Sequence, residues 1–261
     1  MGVLNVTPDS FSDGGQFENV DAAISHGTML FEQGAGLIDV GGESTRPGAG
    51  SVEPEEEGNR VLPVIAALAS RGVPTSVDTT RTIVARAALQ AGAEVVNDVS
   101  ALGDPDMAPA VAETGAGLVL MHMQGEPRTM QEQPRYGDVV AEVTQFLVER
   151  AAIAEKEGIG RDRIAIDPGI GFGKTFEHNL ELLRNLHFLV ETGYPVVIGT
   201  SRKTFLGRIL GENVPPAKRD AATGATVALA IEQGVAAVRV HNVAMAAQIA
   251  RTTEAILGRG R

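Results

Sequence analysis

Short apolar segments, most of them closed by a polar residue, recur eight times along the chain. They are residues 3–5, 37–40, 75–78, 95–98, 118–122, 164–167, 196–199 and 237–241. They lack the polar–apolar alternation of half-exposed strands and instead suit parallel strands that are buried on both faces. This repetition predicts eight buried parallel strands, which constrains the fold more than any other feature of the sequence.

Segments with helical periodicity separate these strands. Five of them are residues 21–33, 54–70, 82–90, 139–157 and 180–191. Seven strands follow a glycine that is placed to end the preceding helix in a left-handed conformation. These glycines are Gly34, Gly72, Gly92, Gly115, Gly158, Gly193 and Gly234. The alternation predicts one α/β domain over residues 1–261, a single (β/α)8 TIM barrel, with an open doubly wound sheet as the alternative.

The composition excludes several classes of function. The 261 residues carry a formal net charge of -11, no cysteine and only 4% aromatic residues. An acidic chain that is poor in aromatic rings lacks the basic patch and stacking surface of a nucleic-acid binder. Without cysteine there are no disulfides, zinc–thiolate centres or iron–sulfur clusters. No apolar run approaches the roughly 18 residues of a membrane span, so we expect a cytoplasmic protein with neither nucleic-acid nor membrane partners.

Polar residues close most of the strands, and long polar loops follow three of them, at residues 7–19, 41–53 and 123–137. A (β/α)8 barrel carries its active site at the C-terminal ends of its strands, so these residues are expected to converge. Any one Asp or Asn is equally well explained as a helix cap, but His and Arg are not capping residues. Together they predict a polar-ligand site. They are Asn5, Asp78, Asn97, Asp98, His122, Asp167, Arg239 and His241.

Two motifs follow the sixth and seventh strands. Residues 167–175 (DPGIGFGKT) are rich in glycine, but Pro168 stands where a phosphate-binding P-loop needs glycine, and the dinucleotide fingerprint is also absent. A tight turn and a loop that lets backbone approach a flat ligand explain this motif equally well. Residues 201–203 (SRK) lie where this fold often binds phosphate, which favours an anionic or carbonyl-bearing ligand over a solvated helical turn.

A diphosphate cradle is predicted from three residues. Arg239 and His241 lie two positions apart on the eighth strand and therefore share a face, and Asn5 lies on the neighbouring first strand. Neither a His-Glu-x-x-His nor an EF-hand spacing is present. A metal site made only of protein ligands is therefore not expected, but the pattern leaves Mg²⁺ open, because that ion typically takes one or two protein oxygens together with substrate phosphates and water.

The motifs resemble, in order and nearly end to end, those of the dihydropteroate synthases, the folate-pathway enzymes that sulfonamides inhibit. They are GVLNVTPDSFSDGG (2–15), DVGGESTRPG (39–48), SVDT (76–79), VNDV (96–99), LMHMQG (120–125), DPGIGFGK (167–174), SRK (201–203) and RVH (239–241). The resemblance implies a (β/α)8 transferase that is a homodimer and uses Mg²⁺. Its substrates would be 6-hydroxymethyl-7,8-dihydropterin diphosphate and p-aminobenzoate, and its products 7,8-dihydropteroate and pyrophosphate.

The resemblance also implies roles for individual residues. The residues that match the family's pterin site are Asp78, Asn97, Asp167 and Lys203, with Met121 and Phe172 as apolar walls. Asn5 matches the Mg²⁺ ligand, and Arg239, Val240 and His241 match the diphosphate contacts. The residues that match the p-aminobenzoate side are Thr45, Arg46, Ser201 and Arg202. Asp78, Lys203, Arg239 and His241 are the expected catalytic residues.

One departure and two alternatives accompany the resemblance. Asn242 stands where the family usually has Asp, and we expect it to cap a helix or support the site from behind. A non-catalytic paralogue that only binds pterin would lack the chemistry residues, which are present here. A pterin-dependent methyltransferase of related fold would lack the p-aminobenzoate side, which residues 44–47 and 201–203 preserve.

Overall fold

The computed structural model describes residues 1–7, 16–43, 52–126, 129–211 and 214–259, and in residues 16–19 it describes the backbone alone. Thr45 and Arg46 lie outside the described residues, as does most of the two predicted loops at residues 7–19 and 41–53. Their predicted roles therefore stay predictions.

Eight parallel strands form the centre of the fold. They are β1 (Gly2–Asn5), β2 (Ile38–Gly41), β3 (Thr75–Asp78), β4 (Val95–Asp98), β5 (Gly117–Met121), β6 (Ile164–Asp167), β7 (Val197–Ile198) and β8 (Ala237–Val238). Strands β1 to β6 pair in chain order in one sheet, and β7 pairs with β8. The eight predicted strands are therefore all present, with β7 and β8 shorter than their apolar runs.

Two parallel bridges join these sheets into a ring. One links Ile166 in β6 to Val196 just before β7, and the other links Gly2 in β1 to Val240 just after β8. The backbone N–H of Val3 donates to the carbonyl oxygen of Val240 at 3.0 Å. Each strand thus has a parallel neighbour on both sides, which confirms the predicted barrel; the open doubly wound sheet is wrong.

Ten helices of the described residues cover this ring. They are α1 (Gln16–Glu32), α2 (Pro54–Ser70), α3 (Thr82–Gln90), α4 (Met107–Thr114), α5 (Val139–Lys156), α6 (Phe176–Arg184), α7 (Leu186–Val190), α8 (Thr204–Leu210), α9 (Asp220–Glu232) and α10 (Val243–Ile256). The helix predicted over residues 180–191 is wrong, because α6 and α7 meet there at Asn185. The Asn185 amide donates to the carbonyl oxygen of Glu181 at 2.9 Å, and its backbone has a non-helical φ of −122°.

The seven predicted helix-ending glycines all have a positive φ, between 70° and 109°. This conformation is open to glycine at little cost, and it turns the chain from each helix into the next strand. The short turns at the N-terminal end of the barrel leave the longer loops at the other end, where the predicted site lies.

Side-chain alternation along the strands separates the core from the site. Val40, Val77 and Val96 are completely buried and belong to the hydrophobic core under the helices. Asp39 and Ser76 alternate with them and hydrogen-bond to each other, which places both on the barrel axis. Alternation along β2 and β3 therefore directs Val40 and Val77 towards the helices and directs Asp39 and Ser76 into the barrel.

Candidate active site

Arg239 lies between two carboxylates at the centre of the barrel mouth. Its Nε donates to Asp39 Oδ2 at 2.6 Å, and its Nη2 donates to Asp78 Oδ2 at 2.8 Å. The Asp39 side chain has no exposed surface, whereas those of Asp78 and Arg239 are 11% and 23% exposed. Arg239 follows β8, and it spans the barrel axis to reach β2 and β3. A cation with one buried and one accessible partner thus lies at the bottom of the mouth.

Asp39 is the central acceptor of this network, and sequence reasoning missed it. Besides Arg239, it accepts hydrogen bonds from Ser76 Oγ at 2.6 Å and Asn97 Nδ2 at 3.2 Å. The prediction considered polar residues at strand ends, whereas Asp39 lies inside an apolar strand. An acidic residue in the middle of a buried strand was the available signal, since burying a carboxylate is costly without such partners. Asp39 therefore orients both Arg239 and Asn97.

The electrostatics of Asp78 differ from those of an ordinary carboxylate. Burial raises its pKa to about 7, the carboxylate of Asp39 adds to this, and Arg239 opposes both. Glu57 and Asp98 also raise the pKa of Asp78. The side chain is thus close to its protonation midpoint at neutral pH, which is typical of groups in functional sites.

Lys203 and Phe172 form a second part of the mouth. Lys203 Nζ lies 4.5 Å from the centroid of the Phe172 ring and donates to the carbonyl oxygen of Ile170. Burial lowers the pKa of Lys203 to about 8, although the carboxylate of Asp167 acts to raise it. Burial raises the pKa of Asp167, which accepts a hydrogen bond from Gly169 N at 2.7 Å. The predicted pterin residues Asp167, Phe172 and Lys203 are therefore brought together.

The glycines after β6 are required by packing against the loop after β5. Gly169 has a φ of 64°, and a Cβ there would overlap the carbonyl oxygen of His122. Gly173 has a φ of 60°, and a Cβ there would overlap the carbonyl oxygen of Gln124. The structure thus establishes the tight turn, and the approach of the backbone to a flat ligand stays a prediction. The turn also carries Phe172 towards Lys203.

His122 holds a buried lysine that sequence reasoning missed. Lys174 is 2% exposed, and its Nζ lies 2.9 Å from both His122 Nδ1 and the carbonyl oxygen of Phe172. Burial lowers the pKa of Lys174 to about 7, and burial followed by the charge of Lys174 lowers the pKa of His122 to about 3. A neutral His122 therefore accepts from Lys174, and the pair fastens the β6–α6 loop behind Phe172.

Ser201 and His241 join the loops after β7 and β8. Ser201 Oγ lies 2.9 Å from His241 Nδ1 and accepts from the His241 backbone N–H at 3.1 Å. Both backbone polar groups of Val240 are bonded to the first residues of the chain, Met1 and Val3. The hydroxyl and imidazole groups thus occupy the same side of the mouth as Arg239.

Asp98 and Asn242 have local structural roles. Asp98 accepts hydrogen bonds from Ser100 N at 2.8 Å and Leu102 N at 2.7 Å, so it stabilises its own turn. Asn242 caps α10 through a hydrogen bond from Met245 N to its Oδ1 at 3.1 Å, which confirms the predicted capping role. The capping explanation therefore holds for Asn242, whereas Asp98 stabilises a turn that precedes α4, whose N-cap is Asp106.

The comparisons with known proteins bear on this geometry. A family model described as "Pterin binding enzyme" matches residues 1–241. Dihydropteroate synthase of Escherichia coli strain K12 is 45% identical over 98% of this chain and 91% of its own. That of Mycobacterium leprae is 49% identical over 93% and 88%. The chain belongs to the dihydropteroate synthase family. It is accordingly a transferase, as the motifs predict.

Solved dihydropteroate synthases share the fold over nearly their whole length. The Xanthomonas albilineans enzyme with 4-aminobenzoic acid has a TM-score of 0.92 at 48% identity, covering 98% of this chain and 92% of that one. The same enzyme with 7,8-dihydropteroate has a TM-score of 0.89 at 45% identity and the same coverage. A Yersinia pestis synthase in complex with a sulfonamide drug has a TM-score of 0.93 at 42% identity, covering 99% and 94%.

Two negative findings apply to the described ranges, from residue 1 to 259 with their gaps. There, no group of three or more His, Cys, Asp or Glu residues could hold a metal ion. In the same part of the chain, no helix is both long and apolar enough to cross a membrane.

Proposed function

We propose that this chain condenses 6-hydroxymethyl-7,8-dihydropterin diphosphate with p-aminobenzoate to give 7,8-dihydropteroate and pyrophosphate, with Mg²⁺ as cofactor. The placement of Arg239 between Asp39 and Asp78 carries the proposal, because it sets a cation for the diphosphate directly beside a carboxylate for the pterin. The relatives solved with 4-aminobenzoic acid and with 7,8-dihydropteroate support the choice of substrates.

The pterin is proposed to bind by its edges between Asp78, Asn97, Asp167 and Lys203. A carboxylate can accept from the adjacent ring N–H and amino group of a pterin, while Lys203 can donate to its carbonyl side. The side-chain N–H of Asn97 donates to Asp39, so the amide oxygen of Asn97 points away from Asp39 and is a further acceptor for the pterin. Met121, buried at the end of β5, and Phe172 supply apolar walls.

The first chemical step is proposed to be cleavage of the bond between the pterin methylene carbon and the diphosphate oxygen. The electron pair leaves with pyrophosphate, where Arg239 and His241 stabilise the negative charge. Positive charge develops on the pterin methylene, close to the Asp78 carboxylate. The aryl amine nitrogen then donates its lone pair to that carbon and loses one proton. An aniline nitrogen is already unprotonated at pH 7, so the attack needs little help from a general base.

Magnesium suits the donors that the structure provides at Asn5. Asn5 pairs with Gly41 across β1 and β2, and Gly41 pairs with Asp78 across β2 and β3. A Cβ at Gly41 would lie 3.7 Å from Asn5 Oδ1 and 3.8 Å from Asp78 Oδ2, so both oxygens lie beside the same backbone position. One amide oxygen completed by substrate phosphates and water is typical of Mg²⁺. The ion would supply charge neutralisation of the diphosphate, and Asn5 would hold it.

The p-aminobenzoate side is proposed to comprise Thr45, Arg46 and Ser201. The loops of residues 7–19 and 41–53 are proposed to exclude water, which would otherwise capture the pterin cation. We also propose a cytoplasmic homodimer with one pterin-binding domain over residues 1–261. Large apolar side chains exposed on α7, α8 and α9 are available for the dimer contact. They are Phe188, Ile209, Leu210 and Leu229.

One assay tests the proposed reaction. The protein is supplied with the pterin diphosphate, p-aminobenzoate and Mg²⁺, and both pyrophosphate and 7,8-dihydropteroate are measured. We expect equal amounts of the two products, with a Glu113→Gln variant as a control, because Glu113 forms an exposed ion pair with Arg86 away from the mouth. Pterin binding without either product would favour the non-catalytic paralogue instead.

A further inference from the structure

The turn after β7 contains a residue in an unfavourable backbone conformation. Arg202 has a φ of 60°, a left-handed conformation that is normally taken by glycine. Among the non-glycine residues that the structure describes, only Ala101 and Leu102 share a positive φ. Such a conformation persists only where its surroundings hold it, and it is concentrated at functional sites. The two flanking residues, Ser201 and Lys203, both belong to the proposed active site.

Residues at the N-terminal end of α9 bind the backbone N–H, the carbonyl oxygen and the guanidinium of Arg202. Its backbone N–H donates to Thr223 Oγ1 at 3.1 Å, and its carbonyl oxygen accepts from Arg219 Nη1 at 2.9 Å. Its guanidinium forms a two-point ion pair with Asp220, with Nε–Oδ1 at 2.7 Å and Nη2–Oδ2 at 2.9 Å. Asp220 also accepts from the Asn242 amide at 2.9 Å. The Nε–Nη2 edge of the guanidinium is therefore already occupied by a carboxylate.

The neighbours of Arg202 depend on the direction that this turn takes. Ser201 bonds to His241, and Lys203 lies over Phe172. Thr200, which precedes Ser201, is fixed to α9 by a hydrogen bond between its hydroxyl group and that of Thr226 at 2.7 Å. A relaxed backbone at position 202 would rotate at least one of these flanking side chains away from its partner.

We propose that Arg202 is a positioning residue of the proposed reaction: its left-handed backbone and its ion pair with Asp220 set Ser201 and Lys203 in the mouth. Asp220 is then the residue that keeps Arg202 in place. This assignment differs from the role implied by family resemblance, in which Arg202 contacts p-aminobenzoate directly. The identity of the substrates rests on the proposed function, whereas the positioning role of Arg202 rests on the geometry of the turn.

Removing the charge of Asp220 distinguishes the two roles by the sign of the effect. If Arg202 positions the turn, Asp220→Asn weakens its anchor, and we expect KM for p-aminobenzoate to rise at least threefold. If Arg202 binds the carboxylate of p-aminobenzoate, the same variant releases a competing anion, and KM falls. Glu113→Gln, which breaks a different Arg–carboxylate pair, is the matched control. An unchanged or lower KM in Asp220→Asn would overturn the proposal.

A glycine–alanine comparison tests the backbone part of the proposal. Arg202→Gly and Arg202→Ala both remove the guanidinium, but only glycine adopts the left-handed conformation at little cost. We expect KM for p-aminobenzoate to be about fivefold higher in the alanine variant than in the glycine variant, the ratio that corresponds to the usual penalty of this conformation. Equal KM values would mean that the lost guanidinium, and not the backbone, accounts for the effect.

Thermal unfolding keeps this test independent of turnover. We expect Arg202→Gly to melt about 2–4 °C above Arg202→Ala, because the same penalty acts on the folded state without substrate. An alanine variant that is as stable as the glycine variant would refute the strained turn. If the parent protein made no dihydropteroate, the proposed function would fail while the order of melting temperatures still tested the turn.

Discussion

Replacing Asp78 by asparagine is expected to stabilise the protein at alkaline pH while it removes most of the activity. The Asp78 side chain is largely buried, and burial and Asp39 raise its pKa to about 7. Its ionised form is therefore costly in the folded state. Asparagine has a similar shape and no charge, so it avoids this cost. Arg239 keeps its other carboxylate, Asp39, in the variant.

The magnitude follows from the difference between the folded and unfolded pKa values. An aspartate in the unfolded chain has a pKa of 3.8, so between pH 4 and 7 the folded state binds the extra proton. The free energy of unfolding of the parent then falls as pH rises through this window. A pKa difference of about 3 corresponds to about 4 kcal/mol at pH 8, and to about 2 kcal/mol at pH 5.5, where the folded group is still protonated.

Urea unfolding of Asp78→Asn and of the parent, at pH 8 and at pH 5.5, measures this difference. We expect the advantage of the variant to shrink by about half at the lower pH. Asp104→Asn is the control, because hydrogen bonds at Thr82 hold the pKa of Asp104 below its usual value, and the same change there should be destabilising at pH 8. A variant less stable than the parent at pH 8, or a difference that did not vary with pH, would refute the reasoning.

The same variant tests the chemical role of the carboxylate. Loss of one group that stabilises charge in the transition state typically lowers kcat by about 10²–10³-fold. We expect that loss in Asp78→Asn, with a much smaller change in pterin affinity. Equal losses in kcat and in affinity would contradict a role in stabilising the pterin cation.

Three further outcomes are expected. Lys203→Met removes the cation over the Phe172 ring and should weaken pterin binding about tenfold by calorimetry, and an unchanged Kd would exclude that contact. Gly169→Ala should lower the melting temperature far more than Gly72→Ala. Both residues have a positive φ, but a Cβ would overlap backbone atoms only at Gly169. Equal decreases in melting temperature would show that this packing does not affect stability. Chelation of Mg²⁺ and the variant Asn5→Ala should each weaken binding of the pterin diphosphate but not of 6-hydroxymethylpterin. Equal weakening of both ligands would contradict a metal site at the diphosphate.

Short-range signals predicted the frame of the molecule well. Buried strands, helix periodicity and helix-ending glycines each depend on residues that are close in the chain, and the structure confirms all eight strands. The single helix over residues 180–191 was wrong because one asparagine side chain competes with the helix backbone at Asn185. The site residues at strand ends were predictable because parallel strands bring their ends to one side.

The residues that sequence reasoning missed form contacts with partners that are distant in the chain. Asp39 and Arg239 are 200 positions apart, and Lys174 and His122 are 52 apart. Asp39 and Arg239 meet only when the barrel closes, and Lys174 meets His122 only when β5 and β6 pair. Local pattern carries no information on such contacts, and neither the hub at Asp39 nor the buried Lys174 was predicted. The sequence also gave no sign that the guanidinium of Arg202, which is predicted to lie on the p-aminobenzoate side, pairs with Asp220.

The sequence by itself determined the barrel, the family and the end of the barrel on which the chemistry lies, because strand order and strand-end residues follow from local pattern. Only the tertiary structure decided how charge is shared there. Arg239 binds a buried carboxylate through Nε and an accessible one through Nη2, and the accessible carboxylate acquires a pKa near neutrality. Such values depend on desolvation and on distances between side chains from opposite sides of the barrel, and these distances exist only once the ring of strands is closed.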